Sequence, residues 1–469
     1  MQTHDPSHGL VDPALAHAAW AEATFRDCDL PDARLRRRLV QVAAGIARNP
    51  QVSLSRAFQD PAALKAGYRL VHHDAATIAA VTEPHRRQTL AAAGSAPGVV
   101  LMVQDTTEFD YSQHPATTGL GPIGDGRGRG FLVQSVLAIR PALAGRPVPV
   151  LGVAHLEAFD RVPAPHPQET SAQKRTRPRE SDCWLRAVDA VGRPPAGVRW
   201  VLVGDRGADA YRLFAHCRAQ GQDLLVRAVQ DRRARDAEGL PTGVLRTART
   251  QSPGSERREV AIPAKPTQRA RTASVAVAWT ALTLRPPAGM TEMPALPIWV
   301  VHVWEPDPPD GGAPLEWILL SSVAVETEAA AWERVDWYRQ RWVVEEYHQA
   351  LKTGCGLEAA QLRDQASLWA LLGICAPIAI RLLQLRALAR GDPAAAATTV
   401  LDAQTIAVLA ALTKTNPAGM SAGTCWKLIA RLGGHLGRKG DGEPGWKTLW
   451  WGWQHLQTVL DGVRIAAIV

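Results

Sequence analysis

Residues 338–352, YRQRWVVEEYHQALK, hold two phenols, two guanidiniums, two adjacent carboxylates and an amine among apolar side chains. An α-helix turns by about 100° per residue. With Tyr338 set at zero, Arg341 falls at about 300°, Glu345 at about 340° and Lys352 at about 320°, so all four share one stripe. Glu346 falls at about 80°, off that stripe. An acid between two bases, with a phenol above, is a set that could hold a cation and track a phosphate backbone. The same pattern also suits a solvated helix stitched by i,i+4 ion pairs. This stretch alone leaves both readings open.

Two further carboxylates stand where short apolar runs stop. GVVLMVQ runs into Asp105, and VRWVLVG runs into Asp205. Either alone could be a turn residue or a helix cap. Together with Glu345 they suggest a divalent-metal site, because Mg²⁺ or Mn²⁺ takes oxygen ligands and keeps positions open for water and phosphate. Three gathered carboxylates repel one another and need cations to remain ionised. Two such ions could clamp the attacking and leaving oxygens of a phosphoryl transfer.

The spacing Y-(2)-R-(3)-E-(6)-K at Tyr338, Arg341, Glu345 and Lys352 resembles the signature of bacterial DDE transposases of the insertion-sequence-four family. QDTTEF resembles the first-aspartate motif of that family and GDRGADAY the second. EWILLSS resembles the segment before the signature helix, AGYRL an N-terminal motif, and RLLQLR, IARLGG and the tryptophan-rich ending the C-terminal domain. The likeness therefore spans nearly the whole chain. It implies an RNase H-like mixed-sheet catalytic core with a β-rich insertion, flanked by helical N- and C-terminal domains. It implies metal, as two ions, at Asp105, Asp205 and Glu345, and DNA contacts at Tyr338, Arg341, Lys352, Trp317 and Arg227. Trp317 would stack on a flipped base. It further implies a homodimer that holds transposon ends in a synaptic complex, cuts them through a hairpin and joins them to target DNA. RPRESDCW departs from the family pattern: Cys183 stands where a lysine precedes the tryptophan. A metal-dependent nuclease without strand transfer, or a transposase-derived DNA-binding inhibitor, is the alternative.

The elements that must position these residues read as follows. Residues 1–80 are helical: Leu35, Leu39, Val42 and Ile46 recur at helical spacing beside Arg34, Arg36, Arg37 and Arg38, and Asp60–Pro61 is an N-cap followed by proline at the first helical position. Residues 81–385 form the catalytic part, with strands at GVVLMVQ, GFLVQSVLAIR, PVPVLGVAHLEAF, VRWVLVG and DLLVRAV. The connection GLGPIGDGRGRG lacks the ending of a P-loop and reads as a flexible loop. Residues 228–320 read as a separate β-rich block. Its lead-in, Arg227 to Thr272, carries eleven Arg or Lys against five Asp or Glu. Residues 386–469 read as a helical dimerisation domain, with Trp446, Trp450 and Trp453 on one packing face.

Composition agrees. The net charge is +8, which leans toward a polyanionic partner such as double-stranded DNA. The six cysteines form no CxxC pair and read as reduced, mostly buried thiols of a cytosolic protein, and the resemblance implies a bacterial cytoplasm. The N-terminus shows no secretory pattern, and LWALLGICAPIAI, too short to span a bilayer, reads as a buried helix, so no membrane is expected.

Overall fold

The computed structural model describes residues 10–50, 54–58, 60–143, 145–162, 170, 177–262, 271–308, 314–438 and 441–466. The extreme N-terminus and residues 263–270 of the basic lead-in lie outside the described residues. In chain order the helices are α1 (His17–Phe25), α2 (Ala33–Arg48), α3 (Leu54–Ala57), α4 (Pro61–Val71), α5 (Ile78–Gly94), α6 (Asp182–Val191), α7 (Tyr211–Ala219), α8 (Val244–Thr250), α9 (Glu328–Gln340), α10 (Trp342–Gln349), α11 (Gln365–Gly391), α12 (Ala403–Thr413), α13 (Ala422–Leu432) and α14 (Trp446–Ala466). The strands are β1 (Gly98–Asp110), β2 (Gly121–Ile123), β3 (Gly128–Ile139), β4 (Val150–Phe159), β5 (Val198–Gly204), β6 (Asp223–Arg227), β7 (Arg233–Arg235), β8 (Pro241–Gly243), β9 (Arg258–Ile262), β10 (Arg271–Leu284), β11 (Leu296–Trp304) and β12 (Glu316–Ser321). They make a mixed parallel and antiparallel sheet, the fold class expected of an RNase H-like core.

The chain divides into two compact units. Unit one comprises residues 1–95, 106–177 and 343–469. Its centre is α11, apolar on all sides and buried along most of its length. This helix is longer than the apolar run seen in the sequence, and long and apolar enough to cross a membrane, yet 83% of its most apolar window is buried within the protein. A helix that is apolar all round belongs in a core. A guanidinium buried in it, that of Arg381, donates to the carbonyls of Pro13 and Leu15 and lies 4.9 Å from the Trp20 ring centroid, which ties the segment before α1 to this core. The β2–β3 connection is a hairpin rather than a loose loop, with the Gly124 amide donating to Glu108 at 3.2 Å.

Asp364 caps α11. Its carboxylate accepts from the Ser367 amide at 3.0 Å and from the Ser367 hydroxyl, bonds that hold its pKa at about 2. The pKa is lower in the fold than in the free chain, so the cap stabilises fully above about pH 4, and that contribution fades as pH falls toward 2. Asp364→Ala is expected to cost about 1 kcal/mol at neutral pH. Thermal midpoints of wild type and variant, measured from pH 6 downward, should converge in that window. A constant gap would show that the charge contributes nothing.

The C-terminal helices α13 and α14 cross backbone to backbone. A methyl built on Gly452 would stand 1.7 Å from the Ile429 carbonyl oxygen, and one on Gly433 1.8 Å from that of Thr448. Around the crossing pack Leu428, Ile429, Leu456 and Leu460. The tryptophan face is a packing face: Trp446 and Trp450 are buried and stacked at 5.6 Å.

Unit two comprises residues 96–105 and 178–342. Its strands run β1-β5-β6-β12-β11-β10-β7-β8, with β9 against β10. The first three are parallel neighbours and the rest antiparallel. The β-rich segment is therefore not a separate block: β12 pairs with β6, and the strands of the segment extend the same sheet. Helix α9 packs on this sheet, its N-terminal Glu328 accepting from the backbone amides of Ser255 and Glu256.

Candidate active site

Asp105 and Asp205 stand on neighbouring parallel strands. Val103 pairs with Val203, the last pair of the register, and each aspartate lies two residues further on. Adjacent strands are about 4.8 Å apart, so the two aspartates leave the β1–β5 pair side by side. Asp205 follows the last residue of β5 and accepts from the Gly207 amide at 2.7 Å. Asp105 differs from expectation: β1 continues through TTEFD to Asp110, so this residue is inside a strand rather than at its end. Alternating polar residues at the end of an apolar run hide the continuation of a strand.

The helix carrying Arg341 presents it to Asp105, with Nη1 3.7 Å from Oδ2. Tyr338, one turn earlier, is buried and meets Trp317 of β12 edge to face at 5.5 Å. The Arg341 guanidinium lies 5.8 Å from the Tyr338 ring centroid. Arg227, last residue of β6, hydrogen-bonds to the Tyr338 side chain and donates to the Glu316 carbonyl at 2.8 Å. Burial raises the Tyr338 phenol above its ordinary pKa, against the pull of Arg341 and Arg227. It therefore stays protonated and acts as a hydrogen-bonding group. Unit two thus gathers six of the eight expected site residues: Asp105, Asp205, Arg227, Trp317, Tyr338 and Arg341. Sequence reasoning overlooked Arg206, whose charge acts on Arg227, and Trp342, which is 52% exposed beside Arg341.

Glu345 and Lys352 belong to unit one. Here the single stripe fails as geometry. Helix α9 stops at Gln340, Arg341 is its cap, α10 begins at Trp342, and Ala350–Gly354 is wound as a π-helix. A phase of 100° per residue is not carried through such joints. Lys352 is 3.4 Å from Glu358 and 5.3 Å from the Phe109 ring centroid. Glu346 is ion-paired to Arg386 of α11, whose guanidinium lies 4.2 Å from the Trp446 ring centroid. This ion pair ties α10 to α11. Among the described residues no three His, Cys, Asp or Glu side chains form a ready-made metal cage. The oxygen donors of Asp105 and Asp205 suit a hard divalent ion, and Arg341 now balances the first of them.

Three family models match in chain order: a transposase DNA-binding domain over residues 17–76, a transposase DDE domain over 180–380 and a transposase Tn5 dimerisation domain over 377–468. Among solved structures, a piggyBac transposase synaptic complex with hairpin DNA is similar at 9% identity, over 97% of this chain and 78% of that one, with a TM-score of 0.33. That likeness is too loose to carry an argument. The family matches define a DDE transposase, a metal-dependent enzyme of DNA phosphoryl transfer. The chain belongs to the Tn5-like members of that class, and it binds DNA and forms dimers.

Proposed function

We propose that this transposase moves its element by cutting and pasting, with Asp105, Asp205 and Glu345 as the residues that hold two Mg²⁺ or Mn²⁺ ions. The observation that carries the reading is the pair of aspartates just beyond the last β1–β5 register pair, together with Tyr338, Arg341, Arg227 and Trp317. When bound, the ions would make an attacking oxygen nucleophilic and stabilise the leaving one. The chain's own residues do the positioning. Arg341 and Lys352 hold backbone phosphates beside the carboxylates, Tyr338 orients Arg227 and Arg341, and Trp317 receives a base extruded when the DNA end is bent into a hairpin. The functional parts are an end-binding domain at 1–80, a catalytic part at 81–385 with its insertion at 228–320, and a dimerisation domain at 386–469. Both joints lie within helices, α5 and α11. A homodimer would hold two transposon ends in a synaptic complex in the bacterial cytoplasm and away from membranes.

The test is a labelled transposon-end duplex incubated with protein and Mg²⁺, then with a target plasmid. Nicked, hairpin and joined products are expected in that order. Nicks alone would make the protein a simple nuclease. In the same assay Trp317→Ala should slow hairpin formation about ten- to a hundredfold, since stacking on an aromatic contributes ~1–3 kcal/mol. Equal slowing of nicking and hairpin formation would return Trp317 to a packing role.

End binding should weaken steeply with salt. On α2, Arg34 and Arg37 are exposed, while Arg36 donates to the Leu30 carbonyl. Replacing Arg34 and Arg37 by Ala should reduce the log–log salt slope by about 2, near 0.9 for each phosphate no longer neutralised. An unchanged slope places the DNA elsewhere.

A further inference from the structure

Trp317 and Arg227 are held from behind by residues that never face the aspartates. Glu316 and Trp317 are consecutive on β12, so their side chains point to opposite faces of the sheet. On the far face the Glu316 carboxylate accepts two hydrogen bonds from Arg249 of α8, both 3.0 Å, in a bidentate pair. His302 Nε2 lies 3.2 Å from the same carboxylate. The His302 ring is buried and stacked on Trp304 at 4.5 Å, and Trp304 is the cross-strand partner of Glu316. Glu316 is also the first residue of its strand, where the ladder begins and gives least restraint. Its main-chain carbonyl is the one that accepts from Arg227.

We infer that Glu316, clamped by Arg249 and His302, is a positioning residue that fixes the start of β12 and thereby the placement of Trp317 and Arg227 for hairpin formation. This rests on the reading of Trp317 as the stacking residue. The fold itself depends little on the clamp. Glu316 is 38% exposed and Arg249 55%, and ion pairs so exposed contribute little to stability. What the clamp supplies is restraint on one backbone carbonyl and one ring. Loosening them should slow hairpin formation by about tenfold, the lower end of the range for residues that orient metal ligands without touching substrate.

Single-turnover nicking and hairpin rates on a transposon-end duplex test this. 2-Aminopurine placed at the base to be extruded adds a fluorescence readout of stacking. Glu316→Ala and Arg249→Ala should each lower the hairpin-to-nick rate ratio by about tenfold and leave 2-aminopurine less quenched, with the thermal midpoint unchanged. Glu316→Gln, which keeps an acceptor for Arg249, should fall between. In the double variant Glu316→Ala/Trp317→Ala the two losses should combine to less than their product, because a missing ring cannot be misplaced and only the placement of Arg227 is left to lose. If Trp317→Ala slows the hairpin and Glu316→Ala does not, the inference is wrong and the reading of Trp317 stands. If Trp317→Ala itself has no effect, that reading has failed first. If Glu316→Ala slows both steps alike and lowers the thermal midpoint, the clamp is only structural and the inference is overturned.

Discussion

Glu345→Gln should end nicking and strand transfer in Mg²⁺ while transposon-end binding stays within a few-fold of wild type. Glu346→Gln should do the reverse: it should cut, yet be less stable. The two residues are neighbours on one helix, which makes the contrast a test of role rather than of region. Glutamine keeps the size and the hydrogen bonding of glutamate but lacks the charge that holds a hard cation. The Glu346 carboxylate is already engaged with Arg386. That guanidinium is largely buried, and burial lowers its pKa against the support of Glu346. Removing the carboxylate strands a buried positive charge. A fully buried pair broken in this way loses ~3–5 kcal/mol, and this partly exposed one should lose less. Cleavage of a labelled end, a gel shift and a melting curve on both variants give the answer. A dead Glu346→Gln beside a cutting Glu345→Gln would reverse the two roles.

Gly452→Ala should be the most damaging single methyl in the C-terminal region. The clash is with the backbone of Ile429, and no side-chain rotation relieves it. Overpacking costs ~1–3 kcal/mol where side chains can shift, so the cost here should be at the top of that range or above. Parting α13 from α14 opens the cluster that holds Leu428, Ile429, Leu456 and Leu460. Dimer should be lost in light scattering, and cleavage coupled between two ends should be lost with it. Gly462→Ala on the same helix has open space around the new methyl. It should be neutral or slightly stabilising, as alanine is the better helix former. A dimeric Gly452→Ala protein with an unchanged melting curve would show that the crossing does not support assembly.

What could be read from the sequence followed the strength of the local signal. Asp60–Pro61 announced α4, and the cap is as expected, the Asp60 side chain accepting from Ala62 and Ala63. Strand β5 was legible because an apolar run ended at a polar residue. Helix α5 was missed: its buried face includes Thr82, His85, Thr89, Ala92 and Ala93, which draw no apolar stripe, and it contains Pro84. The signature residues were legible from their types and spacing. Their arrangement was not, because a break at Arg341 and a π stretch leave no mark in composition. Nothing in the sequence linked Arg249 and His302 to Glu316 of EWILLSS. They lie far apart in sequence, and only the β11–β12 register and the packing of α8 bring them together.

The π stretch after α10 also decides where the chain can tolerate a change of length. Its defining bond runs from the Cys355 amide to the Ala350 carbonyl at 2.7 Å, one residue wider than an α turn. A residue lost between Ala350 and Gly354 would let this turn tighten to α without breaking the helix. Such a deletion should rewind Lys352 away from Glu358 and Phe109. A substitution at Lys352 removes one amine, whereas a deletion beside it misdirects the amine and everything up to Gly356. In this segment, then, selection on transposition should act on length as strictly as on residue identity.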